Sequence, residues 1–172
     1  AMTLMPGAAS LYFGSGFVAE RGNNWLTGMY ANYNIYKTKD SRYVSVGCLE
    51  KKFWTNLCNA LERTDLIDLI DCEENHPYLK GQLALEFEKR TMAEWETYLK
   101  GKDTCVTPIL NFAEACDAEQ TKANEMVLTV NDEELGEYKQ IGFAMKLSKT
   151  PAQLSKRAPR LGEDNKEILG ED

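Results

Sequence analysis

Between Tyr33 and Leu61 the hydrophobic period of this chain switches from two to nearly four within a few residues, and few folds accommodate that switch. The run from Tyr33 to Thr38 is rich in β formers. Lys39, Asp40 and Ser41 have turn chemistry, and Arg42 to Gly47 alternates again, so the spacing predicts a β-hairpin. Past Gly47, the residues Phe53, Trp54, Leu57, Cys58 and Leu61 fall on one helical face. A strand must therefore run almost directly into a helix, which excludes all-α and all-β architectures.

Further signals extend the pattern. A short helix is expected from Asp65 to Cys72, and another begins around Asn75, His76 and Pro77, where proline suits a first helical turn, and continues through Phe87. Thr91 with Glu94, and Asn111 with Glu114, have the spacing of capping boxes. Cys105 to Leu110 reads as an edge strand that tolerates Pro108. Met126 to Val130 predicts a strand, Asn131 to Gly136 an acidic turn, and Tyr138 to Leu147 an extended stretch. Apolar Met2 to Phe13 reads as a helix that begins upstream. The polar, basic run from Ser148 to Pro159 reads as a linker, and Gly162 to Leu169 as a short exposed helix. The fold class is α+β: a small domain with an antiparallel hairpin and several helices.

Composition narrows the function classes. With 43% hydrophobic and 27% charged residues in a chain of 172, a real core can be buried. A net charge of −7, with basic residues concentrated only between Lys146 and Arg160, argues against a nucleic-acid partner. Pro6, Gly7, Gly14 and Gly16 interrupt the apolar start, so neither signal peptide nor membrane span is read there, and the cytoplasm is the expected location. Five cysteines without a Cys-x-x-Cys pair suggest neither a disulfide framework nor a zinc site; reduced, mostly buried thiols are expected, Cys105 among them, and no metal.

On residue type alone, Glu50 is a carboxylate in a first helical turn, favoured by free N–H groups. Tyr33 is a cross-strand aromatic, Leu49 a packing residue, and Asn23, Asn24 and Trp25 belong to a surface loop. His76, beside Pro77, reads as a helix-cap residue.

Three segments in order, Arg21 to Gly28, Tyr33 to Glu50 with Phe53 following, and Lys102 to Leu110, together with a weaker match over Leu161 to Leu169, resemble the C-terminal part of the alpha-methylacyl-CoA racemase and class III CoA-transferase family. The resemblance implies a large CoA-binding α/β domain built from both ends of a longer polypeptide, a smaller middle domain, and interlocked dimers with the active site between domains. It assigns residues 1–28 to the end of a large-domain segment, 29–147 to the small domain, and 148–172 to the returning linker and tail. The acyl-CoA thioester is then the substrate, with no tightly bound cofactor. The partners are the CoA-binding half, whether a missing domain or a separate subunit, and a second copy in a homo-oligomer.

By the same resemblance Glu50 is a supporting catalytic carboxylate that orients a histidine of the partner domain. Tyr33 and Leu49 line the acyl pocket, and Asn24 and Trp25 stand at its mouth. Three departures are visible: Asn23 and Asn24 replace a glycine run typical of the formyl-CoA transferases, Met29 to Asn32 replaces the family's Gly-Ala-Pro-Phe, and Glu163 to Asn165 replaces the tail's usual Glu-His-Thr. The expected function is thus a catalytically incomplete part of an acyl-CoA-processing enzyme, either racemase-like, epimerising 2-methylacyl-CoA thioesters, or a class III CoA-transferase. The alternative is a non-enzymatic split or remnant module that only associates with a partner subunit.

Overall fold

The structure, a computed structural model, describes residues 6–18, 20–24 and 26–170. The chain divides into two compact units, Ala1–Ile109 and Leu110–Asp172.

In the first unit, helix α1 (Pro6–Ser15) leaves Tyr12 and Phe13 exposed. Strands β1 (Tyr33–Lys37) and β2 (Tyr43–Gly47) form the hairpin the alternation predicts, with Tyr33 opposite Gly47 and Lys37 opposite Tyr43. Ser41 takes the left-handed φ of 62° that closes the turn, and Thr38 and Arg42 bridge it, N–H to carbonyl, at 2.9 Å. Strand β3 (Val106–Pro108) joins the far side of β2, giving the order β1-β2-β3. Pro108, which has no N–H to give a ladder, therefore sits on an edge strand.

The helix predicted after Gly47 is α2 (Lys51–Ala60). Its apolar stripe buries Trp54, Leu57 and Cys58 completely. The helix ends where Glu62 turns left-handed and the Arg63 N–H reaches back to the Cys58 carbonyl at 2.8 Å, a closure usually left to glycine. Helix α3 (His76–Phe87) and helix α4 (Met92–Leu99) complete the shell, and both halves of the Thr91–Glu94 capping box form. The core joins Val44 and Val46 of the sheet to Trp54, Leu57, Leu79, Leu83, Phe87 and Trp95 of the helices. Its two indoles are satisfied: Trp54 donates to the Ile67 carbonyl at 3.0 Å and Trp95 to the Phe87 carbonyl at 2.8 Å.

The helix expected from Asp65 to Cys72 is instead a chain of 3₁₀ turns, Thr64–Leu66 and Asp68–Asp71, followed by a third at Glu73–Asn75. The cause is competition for carbonyls. Ile67 gives its oxygen to the Trp54 indole and Leu69 accepts from the Asn75 amide at 3.0 Å, so an i to i+4 ladder loses acceptors it would need.

In the second unit, α5 (Phe112–Asp117) begins at the Asn111–Glu114 capping box and is followed by α6 (Glu119–Ala123). Strands β4 (Val127–Asp132) and β5 (Gly136–Ile141) pair as an antiparallel hairpin. The extended stretch expected to reach Leu147 is a strand only as far as Ile141, and the chain then runs without regular structure to α7 (Asn165–Leu169). Among the described residues no helix is long and apolar enough to cross a membrane.

Candidate functional site

The strand-to-helix junction carries a carboxylate at a helix N-cap. Glu50 is the N-cap residue of α2, with extended φ and ψ of −77° and 137°, and its backbone carbonyl receives the N–H groups of Phe53 and Trp54 at 3.0 and 3.2 Å. Its side chain makes no capping bond and is exposed. A carboxylate at this position ordinarily accepts from the first helical N–H groups; here it has no hydrogen-bond or ion-pair partner among the described residues. The neighbouring Lys51 and Lys52 turn to Asp71 and Asp103.

Cys48, two residues before Glu50, is fully buried, and its thiol donates to the Thr104 carbonyl at 2.7 Å. Burial pushes that thiol up to about 12, with the Cys105, Cys58 and Glu50 charges adding to the effect. Cys105 is also raised, by desolvation and by the Asp103 and Glu50 carboxylates. The field of Glu50 therefore reaches both thiols. Contrary to the buried thiol expected from sequence, Cys105 is exposed, as is Cys72. A left-handed φ of 47° at Cys105, between buried Thr104 and half-buried Val106, turns its side chain away from the core.

The residues singled out from sequence do not share one cavity. Tyr33, half-buried, lines a concavity of about 450 Å³ with Leu26, Gly28, Ile35, Gly47 and Cys105. Leu49, 44% exposed, lines another of about 300 Å³ with Tyr30, Asn32, Asp71, Glu73 and His76. Asn24 lies in a third of about 410 Å³, beside Leu11, Phe17 and Tyr30. Trp25 lies outside the described residues. The Tyr33 and Leu49 concavities are linked through the short segment 47–49 that carries Gly47 into one and Leu49 into the other. Among the described residues there is no group of three or more His, Cys, Asp or Glu side chains arranged to hold a metal ion.

Two residues outside that set bear on the junction. Asn32 is buried and binds Cys48, and His76 is buried at the head of α3 with its ring 4.7 Å from that of Tyr30. The signal for Asn32 was present in the departure at Met29 to Asn32, where a polar residue stands in place of an aromatic one. For His76 the adjacent proline pointed to the helix end but not to what the ring binds.

Comparisons with known proteins agree along the chain. A family model described as CoA-transferase family III matches residues 1–165. Alpha-methylacyl-CoA racemase of Mus musculus is 36% identical over 154 residues, covering 88% of this chain and 39% of that protein; the Homo sapiens racemase is 33% identical over 155 residues, covering 89% and 40%. Succinyl-CoA:glutarate CoA-transferase of Mus musculus is 26% identical over 162 residues, covering 88% and 36%. A CAIB/BAIF family protein from Brucella suis aligns in structure with a TM-score of 0.73 at 18% identity, covering 98% of this chain and 44% of that one. The chain spans about two fifths of the length of the curated racemases it matches.

Proposed function

This chain belongs to CoA-transferase family III, and from that premise we propose that it supplies the accessory face of an acyl-CoA site, with Glu50 as a supporting carboxylate for an acid/base group on another domain. The observation that carries this reading is the state of Glu50: an N-cap carboxylate that is exposed and makes no capping bond. Such a group is available to a partner. Facing a histidine, it would fix the imidazole's orientation and raise its basicity towards the working pH.

Epimerisation next to a thioester needs a base to take the α-proton and an acid to return one to the opposite face. Among the residues of this chain, His76 is buried with one ring nitrogen already bonded to a backbone amide, and Glu50 is at most an orienting group. The acid and base therefore come from a CoA-binding half, which is also the expected partner, and Tyr33 and Leu49 flank the acyl chain from their two concavities. The racemase-type reading is favoured over transfer of CoA between carboxylates by the span of the match: the racemases keep 33–36% identity over 88–89% of the chain, whereas a transferase matched over the same share is 26% identical and one at 36% is matched over 45% of the chain.

The test follows α-proton exchange of a 2-methylacyl-CoA in deuterated buffer. The chain alone is expected to be silent, and addition of a separately expressed CoA-binding half from a racemase-type relative to restore exchange. In the complemented enzyme Glu50→Gln should lower kcat by about a hundredfold, the lower end of what a positioned acid/base group contributes, at unchanged thermal stability. Exchange by the lone chain, or a Glu50→Gln enzyme of full activity, overturns the reading. A complex that forms and stays silent towards both proton exchange and CoA transfer favours the non-enzymatic module instead.

A further inference from the structure

We propose that Asn32 and His76 are positioning residues for Glu50, fastening the turn Cys48–Leu49–Glu50 to the core so that the carboxylate is held at one place on the open face. The proposal rests on the reading of Glu50 as a supporting carboxylate.

The fastening begins at Ala31, which is fully buried. Its N–H donates to Nδ1 of His76 at 3.2 Å, and its carbonyl accepts from the Tyr36 hydroxyl at 2.6 Å. Side chains from α3 and β1 thus hold both backbone groups of one residue. The next residue, Asn32, grips Cys48 in the same double fashion. Its carbonyl accepts the Cys48 N–H at 2.8 Å, and its Nδ2 donates to the Cys48 carbonyl at 3.0 Å.

The regular β1–β2 register ends at Tyr33 and Gly47, so this grip extends the ladder by one rung at the point where the chain leaves the sheet. Only Leu49 separates that rung from Glu50, whose own carbonyl is committed to the first turn of α2. The carboxylate-bearing residue is consequently fixed on both sides.

Asn32 carries a cost that packing alone does not explain. Its Oδ1 is buried with no donor. Rotating the amide would set oxygen against the Cys48 carbonyl, so the orientation is dictated by that contact. An apolar side chain would avoid the orphaned acceptor and keep the backbone bond from the Cys48 N–H, losing only the side-chain bond to the Cys48 carbonyl, so that bond is the reason for an asparagine here.

His76 accepts from Ala31 only while Nδ1 lacks a proton, which places the ring proton on Nε2. Protonation would set two N–H groups against each other and release Ala31. Burial, and Lys80 on the same helix, disfavour the cation and lower the pKa below its ordinary value, while Glu73 acts in the opposite sense. The other groups beside the ring are Tyr30, tilted against it with the ring centroids 4.7 Å apart, and Asp71, which lines the same concavity and is paired with Lys51. The neutral, accepting form is therefore favoured near neutrality.

The experiment is an NMR titration of the isotope-labelled chain from pH 8 downward, kept above the carboxylate range. The Ala31 and Cys48 amides and the Glu50 carboxylate carbon are expected to shift with the same midpoint as the His76 ring. His76→Gln can accept through Oε1 but does not titrate, and should flatten that step while keeping the Ala31 amide protected. Asn32→Ala should speed hydrogen exchange at Cys48 by more than about tenfold and leave Leu57, within α2, changed less than about twofold. Signals at Cys48 and Glu50 that stay flat while His76 titrates overturn the proposal, and the wild-type chain alone suffices to see it. Equal loss of protection at Cys48 and Leu57 in Asn32→Ala, meaning a general loosening, also overturns it. Since no acyl-CoA is involved, failure here is distinct from failure of the activity test.

Discussion

Nε of Arg157 lies 3.0 Å from Oδ2 of Asp132, which ties the irregular segment after β5 to the turn between β4 and β5. The other oxygen of Asp132 accepts the N–H groups of Glu134 and Leu135 at 2.8 and 2.9 Å and meets Arg160 Nη2 at 3.4 Å. Arg157 is at the same time forked onto Glu163, with both contacts at 2.7 Å. A two-stranded hairpin is marginal in water on its own. In this unit one carboxylate and two arginines fasten it to the segment that the sequence presents as a linker.

A pH dependence follows from this arrangement. The two donated amides, then Arg160 and Arg157, hold the Asp132 carboxyl below its ordinary value of 3.8, and Arg157 pulls Glu163 down to about 2. Because both folded-state values lie below the unfolded ones, the stabilisation is complete above the ordinary carboxylate range and is lost as pH falls through the depressed values. The Leu135 amide should therefore stay protected at pH 5 and open progressively below pH of about 4. Asp132→Ala should open it at neutral pH, and protection unaffected by that substitution would show that the carboxylate does not hold the turn.

Thiol labelling tests the packing around the junction. Cys48 and Cys58 are fully buried and pushed up to about 12 by desolvation, so iodoacetamide at pH 8 should leave both unmodified until the chain unfolds. Cys72 and Cys105 are exposed and should react in the folded chain, Cys105 the more slowly because desolvation, Asp103 and Glu50 raise it. Glu50→Gln removes one of those charges and should speed Cys105 labelling by a factor of two or so, read by mass spectrometry. Modification of Cys48 at the rate of Cys72 would contradict the described core.

What could be read from sequence was what depends on neighbours. The change of period at Gly47 located the hairpin and α2, and the Thr91–Glu94 and Asn111–Glu114 spacings located two helix starts, because each is decided within four residues. The 3₁₀ turns at 64–71 were not legible, since the carbonyl that breaks the α pattern is taken by Trp54, thirteen positions away. The bond from Ala31 to His76 spans 45 positions and the Arg160–Asp132 pair 28. For the same reason Tyr33, Leu49 and Asn24, close in sequence, face three different concavities: strand alternation and the turns around 24–32 decide which side each one meets.

The two tyrosines of β1 separate structural from functional aromatics. Tyr36, 4% exposed, stacks on Phe87 at 5.2 Å and donates its hydroxyl to the buried Ala31 carbonyl, while burial raises its phenol. Tyr36→Phe keeps the ring and leaves that carbonyl without its side-chain donor, which should cost about 1–3 kcal/mol in urea unfolding with m unchanged. Tyr33 is half-buried on the opposite face of the strand, against Gly47 and Cys105, and no side-chain hydrogen bond of its own is present among the described residues. Tyr33→Phe should thus change stability by less than about 0.5 kcal/mol. If Tyr33 lines the acyl pocket, Tyr33→Ala in the complemented enzyme should raise KM for the acyl-CoA or lower kcat beyond what its stability loss explains. A Tyr33→Phe chain as destabilised as Tyr36→Phe, with unaltered turnover, would make Tyr33 a packing residue and remove it from the site.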